Sequence, residues 1–184
     1  MLILIIVLVV LALIVMSLYN GLVKNKVKVD NAWSDIAVFL KKRYDLIPNL
    51  VSTVKGYAAH ESQTLERVIA ARNQAINSGA NASVSDVAAS QAAISTGLRS
   101  IFALSESYPD LKANANFIEL QNSLKEIETD LASSRRYYNA TVRDYNTSIQ
   151  TVPQVFLANA FGFHEREFFE LEDQAETKNV KVEF

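Results

Sequence analysis

Two His-Glu pairs are the first residues to weigh for chemistry. His60-Glu61 and His164-Glu165 each begin the H-E-x-x-H pattern, which sets two zinc-binding imidazoles on one helix face with a carboxylate base beside them. Each lacks the second ligand, because position 64 is Thr and position 168 is Phe. The chain holds two His and no Cys. Thiolate nucleophiles, disulfides and Cys-based zinc sites are therefore excluded. The sequence contains no phosphate-binding glycine loop and no nucleophile elbow. It reads as a non-enzymatic protein: no catalytic residue, no metal, no cofactor and no small-molecule substrate. Asn-x-Ser/Thr triplets at Asn81, Asn139 and Asn146 match a glycosylation acceptor. The last two fall in a helical pattern, so the match is discounted.

Two polar clusters remain. The first is Arg43-Tyr44-Asp45-Leu46-Ile47-Pro48-Asn49. Pro48 lacks an N–H and so leaves the carbonyl four residues earlier unpaired, which predicts a kink near Tyr44. Asn49, Arg43 or Asp45 could satisfy that carbonyl. In the second cluster, Tyr138-Asn139 recurs seven residues later as Tyr145-Asn146, and Arg135 precedes both. Seven residues are nearly two helical turns, so Arg135, Tyr138, Asn139, Tyr145 and Asn146 form one polar stripe. It reads either as tyrosines hydrogen-bonded across a bundle or as a surface for a partner.

The elements that carry these residues begin with a membrane segment. Residues 1–23 hold no charged side chain, and Leu2 to Met16 is unbroken apolar sequence. A helix over 2–23 rises about 33 Å, which matches a hydrocarbon core of about 30 Å. Tyr19 sits where an interfacial aromatic belongs. A cleaved signal peptide fits poorly, because no basic residue precedes the run and no small-x-small site follows it. Lys24, Lys26 and Lys28 follow the span directly. By the positive-inside rule the N-terminus lies outside the membrane and the rest is cytoplasmic.

Beyond the span, the chain carries 18 Lys plus Arg against 20 Asp plus Glu, a net charge of −2. No basic patch is long enough to neutralise several phosphates, so nucleic acid is not an expected partner. Five Gly and three Pro are sparse punctuation and favour long helices. Val29, Trp33, Ile36, Leu40, Ile47, Val51, Val54 and Ala58 recur at helical steps, in a helix that continues from the span. Leu65, Val68, Ile69, Arg72 and Ile76 mark a second helix from about Glu61 to Asn77, with Ser78-Gly79 as its stop. Ser83 and Asp86 form a capping box for a third helix, through Val84, Val87, Gln91, Ile94, Leu98, Ile101 and Ser105. Asn116 and Glu119 suggest a weaker box for a fourth, in which Phe117, Leu120, Leu124, Ile127, Leu131, Ser134, Tyr138, Val142, Tyr145 and Ile149 keep the period to Pro153. The fold class is all-α: an N-terminal transmembrane helix (1–23) followed by a long antiparallel up-down four-helix bundle (24–153). The long fourth helix returns the chain to the membrane.

Residues 154–169 form a Phe-rich segment. Phe156, Leu157, Phe161, Phe163, Phe168 and Phe169, with Tyr19, read either as a cap on the bundle end or as a membrane-interface or oligomer contact. Residues 170–184 read as a charged, loosely held tail.

Several motifs in order give the chain a resemblance to the LemA family of bacterial membrane proteins. They are Tyr19-Asn20-x-Leu22-Val23, Ala32-Trp33-Ser34, the run from Asp45 to Val51, and Val54-Lys55-Gly56-Tyr57 with His60-Glu61. Tyr108-Pro109-Asp110-Leu111, Arg135-Arg136-Tyr137-Tyr138-Asn139, Tyr145-Asn146 and the Phe-rich end follow. Lys42 departs from the Arg that the family pattern leads one to expect there, and Lys lacks the planar fork. The resemblance implies one transmembrane helix, a helical bundle and no established enzymatic activity. The expected function is a membrane-anchored scaffold that self-associates and organises the membrane or its proteins. The alternative is an adaptor or sensor for a protein partner such as a membrane protease or signalling protein. The expected partners are a lipid bilayer, further copies of the chain and a membrane protein.

Overall fold

The computed structural model describes residues 1–78 and 82–170. Gly79, Asn81 and the tail from 171 onward, named above, lie outside the described residues. Among those described there are six helices and no strand. They are α1 (Leu2–Lys55), α2 (Ser62–Asn77), α3 (Val84–Ser105), α4 (Pro109–Lys112), α5 (Ala115–Gln150) and α6 (Gln154–Phe161). The all-α expectation holds. So does the order of lengths, with α1 and α5 at 54 and 36 residues enclosing the shorter α2 and α3 at 16 and 22. Sequence reasoning did not find α4 or α6.

Helix α1 carries the apolar run and continues through Asn20-Gly21 without a break. Residues 1–17 are exposed on every side, and the helix is long and apolar enough to cross a membrane. A helix that is apolar all round is stable only where something apolar surrounds it.

The chain divides into two compact units. The first comprises Met1–Phe39 and Asp130–Phe168. In it α1 and α5 run antiparallel: Trp33 faces Tyr138, while the earlier Tyr19 meets the later Phe161 and Phe163. Leu22, Val29, Ala32 and Ile36 are its buried apolar positions on α1; Leu131, Tyr138, Val142, Tyr145 and Ile149 are those on α5. These are helical steps, and each large apolar side chain so buried contributes about 1.5–3 kcal/mol.

The second unit holds Leu40–Thr129 and, among the described residues, Phe169 and Glu170. Here five helices, α1 to α5, enclose one core of Ile47, Leu50, Val54, Leu65, Val68, Ile94, Leu98, Ile101, Leu111, Phe117 and Leu124. Ile76 lies at the end of α2 and is exposed rather than in this core. Gly97 lets α3 approach α2 closely, since a Cβ there would stand 2.7 Å from Val68 Cγ2.

The caps show one success and one correction. Ser83 and Asp86 form the expected reciprocal box at α3. At α5 the cap is Asn114, not Asn116: its Oδ1 accepts from the Phe117 N–H at 3.0 Å, and its Nδ2 donates to Tyr57 Oη at 2.9 Å. Asn116 instead lies one residue inside the helix, past the point where a side chain reaches the free N–H groups.

Pro48 frees the carbonyl that was expected, and a more distant residue satisfies it. Helix α1 runs through Pro48 unbroken. The Tyr44 carbonyl that Pro48 leaves unpaired accepts from Arg72 Nε on α2 at 2.9 Å. None of the local candidates takes this role, because a donor on a packed neighbour reaches the open side of the helix more directly. A hydrogen bond from a charged donor contributes about 1.5–3 kcal/mol. Arg72→Ala should therefore destabilise the bundle by roughly that amount in thermal unfolding of the detergent-solubilised chain. In a Pro48→Ala background residue 48 regains its N–H, and the cost of Arg72→Ala should fall by at least half. Equal costs in both backgrounds would refute the pairing of Arg72 with the freed carbonyl.

Candidate functional site

On α5, the polar stripe meets backbone as well as side chains. It holds the chain's own segment after α6. That segment starts at Gly162, whose left-handed backbone (φ 70°) ends α6 while the Phe163 N–H turns back to the Ala158 carbonyl at 2.9 Å. Glycine adopts this conformation without a Cβ penalty. Residues 163–168 then have no regular secondary structure, and their backbone groups need partners.

Three α5 side chains supply them. Tyr145 Oη donates to the His164 carbonyl at 3.0 Å, and Tyr138 Oη donates to the Glu167 carbonyl at 2.9 Å. Between them Asn146 makes a two-way pair with Arg166: its Nδ2 donates to the carbonyl and its Oδ1 accepts from the N–H, both at 2.9 Å. Seven helical residues from Tyr145 to Tyr138 span about 10 Å, and three extended residues from His164 to Glu167 span about the same. The spacing of the stripe thus fits an extended chain running antiparallel to α5. Side chains reinforce the seam: Gln150 Nε2 donates to Glu165 Oε1 at 2.9 Å, and Arg166 Nη2 pairs with Asp30 Oδ1 at 2.7 Å.

Burial pushes the Tyr138 and Tyr145 phenols above the usual tyrosine range, while the nearby Arg166 charge pulls the other way. Both rings remain neutral donors at ordinary pH. A phenol with a raised folded pKa contributes its full stabilisation below about pH 10 and loses it as pH rises through the folded value. Arg135 is buried in the same stripe, and Asn139 is half-buried. The core position beside them is Arg135 rather than the expected Ser134, which is half-buried.

The Arg43 cluster forms a separate polar node in the second unit. Arg43 is only 3 % exposed. Its Nη1 donates to Gln91 Oε1 at 3.1 Å, and its Nη2 lies 2.8 Å from both Ser95 Oγ and Glu128 Oε2. Gln91 Nε2 donates in turn to Tyr44 Oη at 2.6 Å. Burial raises the Tyr44 phenol pKa, opposed by the Gln91 hydrogen bond and the Arg43 charge. A buried guanidinium is stable only with such partners. Sequence reasoning named Gln91 as a core position but did not join it to Arg43.

The aromatic residues separate into two groups. Tyr19 packs edge-on against Phe161 and Phe163, with ring centroids 4.9 and 5.9 Å apart. Phe156, Phe161 and Phe168 are exposed, and Leu157 and Phe163 are half-buried. Phe169 is 4 % exposed. It therefore leaves the expected interface set, since its ring is already covered by the chain.

Comparison with known proteins places these features in a family. The LemA family model matches residues 32–184, which include the whole stripe, α6 and the segment it holds. Magnetosome protein MamQ 1 and MamQ 2 of Paramagnetospirillum magneticum are each 25 % identical over 182 residues, covering 86 % of this chain and 67 % of the relative. Protein LemA of Metamycoplasma hominis is 26 % identical over 133 residues, covering 72 % of this chain and 59 % of the relative.

The seam predicts a protease phenotype. Arg166 is a trypsin site, and cleavage requires its backbone to leave α5. Asn146→Ala removes both hydrogen bonds to that residue, at about 1–3 kcal/mol. Limited trypsinolysis should then cut after Arg166 at least several-fold faster than in the parent chain. An unchanged rate would show that Asn146 does not hold the segment.

Proposed function

The chain belongs to the LemA family, and from that premise we propose that it is a membrane-anchored, non-enzymatic helical scaffold. It associates with copies of itself and organises the membrane or the proteins within it. The observation that carries this reading is where the polar groups are spent. Tyr138, Tyr145 and Asn146 hold backbone, and Arg43 bonds Gln91, Ser95 and Glu128. These buried side chains are engaged in holding the fold together. The span supports the membrane role: α1 carries both the exposed apolar run and the buried Leu22, Val29, Ala32 and Ile36. What the membrane holds is therefore a packed helix.

Lysine-reactive cross-linking in native membranes tests the scaffold. Dimers and higher species should form at native expression. A strictly monomeric chain at every expression level would overturn self-association.

The cell-membrane location with the N-terminus outside rests on Lys24, Lys26 and Lys28 just after the span. In spheroplasts, protease added outside should leave residues after 28 intact, and their digestion would reverse the orientation.

An adaptor that binds a specific membrane protein is the second reading. A groove of about 340 Å³ between α1 and α2 favours it. Val51, Leu65 and Ile69 line it beside Lys55 and Glu66, a shape suited to one face of a partner helix.

A further inference from the structure

Helix α6 has eight residues, six of them apolar and none charged. Ala158 is buried and Val155 and Leu157 are half-buried, so the protein already covers one side. The other side is open. Phe156 is 69 % exposed, Phe161 is 60 % exposed, and Val152 just before the helix is 74 % exposed. No charged residue occurs from Tyr145 to Phe163. A cluster of open rings on a stretch without charge marks a contact surface.

The position of α6 says what covers it. Phe161 and Phe163 pack on Tyr19, which lies four residues before Val23, the last residue before the first lysine. Four helical residues are about 6 Å. A bilayer placed on residues 2–23 sets Lys24, Lys26 and Lys28 among the headgroups. Tyr19 and the rings against it then lie about 6 Å beneath them, within the roughly 5–10 Å at which interfacial helices bury their apolar faces. The ion pair of Asp30 with Arg166 falls beyond the lysines, on the aqueous side. The lysines suit anionic headgroups directly above the apolar patch.

We infer that α6 is a second membrane contact: Val152, Phe156 and Phe161 lie in the interfacial layer of the bilayer that residues 2–23 cross, beneath anionic headgroups held by Lys24, Lys26 and Lys28. The inference rests on the reading of residues 2–23 as a span. The occupant of the patch is lipid, because the rings continue the same apolar level that Tyr19 marks. The seam on α5 keeps α6 at that level by tying down the chain that follows Gly162.

Because the sequence has no Cys, single-Cys variants of the full-length chain can each carry one environment-sensitive fluorophore. Val152→Cys and Phe156→Cys report on the patch, Leu8→Cys on the span and Ser100→Cys on an exposed site of α3. Each is reconstituted in vesicles of phosphatidylcholine and phosphatidylglycerol. Acyl-chain spin labels should quench the patch labels several-fold more than the Ser100 label, and aqueous iodide should quench them several-fold less. Quenching of the Leu8 label by lipid with the patch labels quenched by iodide alone would overturn the α6 contact and leave the span intact. No lipid quenching at Leu8 would overturn both. Shielding of the patch from both quenchers, with a disulfide dimer through position 156, would make a second copy the occupant and overturn the lipid contact. Phe156 and Val152 are largely free of protein contacts, so the variants should keep the parent far-ultraviolet circular dichroism. Phe156→Trp gives the same reading without a label: brominated lipid should quench the new indole, while the parent chain with Trp33 alone stays unquenched.

Discussion

An extended backbone without a neighbouring strand must find partners for its N–H and carbonyl groups elsewhere, and this requirement governs the first unit. Residues 164–167 find those partners in two phenols and an amide on α5. The helix acts as a strand would, using side chains in place of backbone. Because three side chains make four bonds to it and the two tyrosines match its spacing, the segment has one register. That register fixes where Gly162 turns, which fixes α6, and α6 in turn places Phe161 and Phe163 on Tyr19. The Asp30–Arg166 pair closes the same loop through charge.

The second unit is governed by a related cost. Arg43 stands in line with Leu40, Ile47, Leu50 and Val54 on the buried face of α1, where an unpartnered charge would cost several kcal/mol. Gln91, Ser95 and Glu128 come from two other helices to meet it. A slip of α3 by about one turn would set Ile94 or Ala88 against the guanidinium. The polar node therefore selects one alignment of these helices, which apolar contacts alone would enforce weakly.

Much of this could be read from the residues. Helical spacing gave the four long elements and most of the core, and Ser83 with Asp86 gave one cap outright. The single stripe through Tyr138, Asn139, Tyr145 and Asn146 followed from a repeat of seven, though its partner did not. Side-chain spacing tells which face a residue occupies but not what lies across from it, and residues 163–168 carry no periodic signal of their own. The same limit explains Tyr44 and Arg72, 28 positions apart. Pro48 announces a freed carbonyl, but only the packing of α2 supplies the donor. Arg43 was legible in principle: the core pattern of α1 steps from Leu40 to Ile47, and the missing intermediate position is Arg43. The overlooked α6 has a local cause, since eight residues between Pro153 and Gly162, six of them apolar, are too short a run for a period to stand out.

Leu22 is fully buried and Leu18 half-buried, while the residues of α1 before them are open on all sides. The last turn of the apolar run thus already belongs to a protein interface, which removes the freedom of the helix to spin about its own axis. The apolar run then turns only with the packed part of α1 that continues it. The direction of every side chain in the apolar run is therefore set from outside that run, by the packing of one buried leucine.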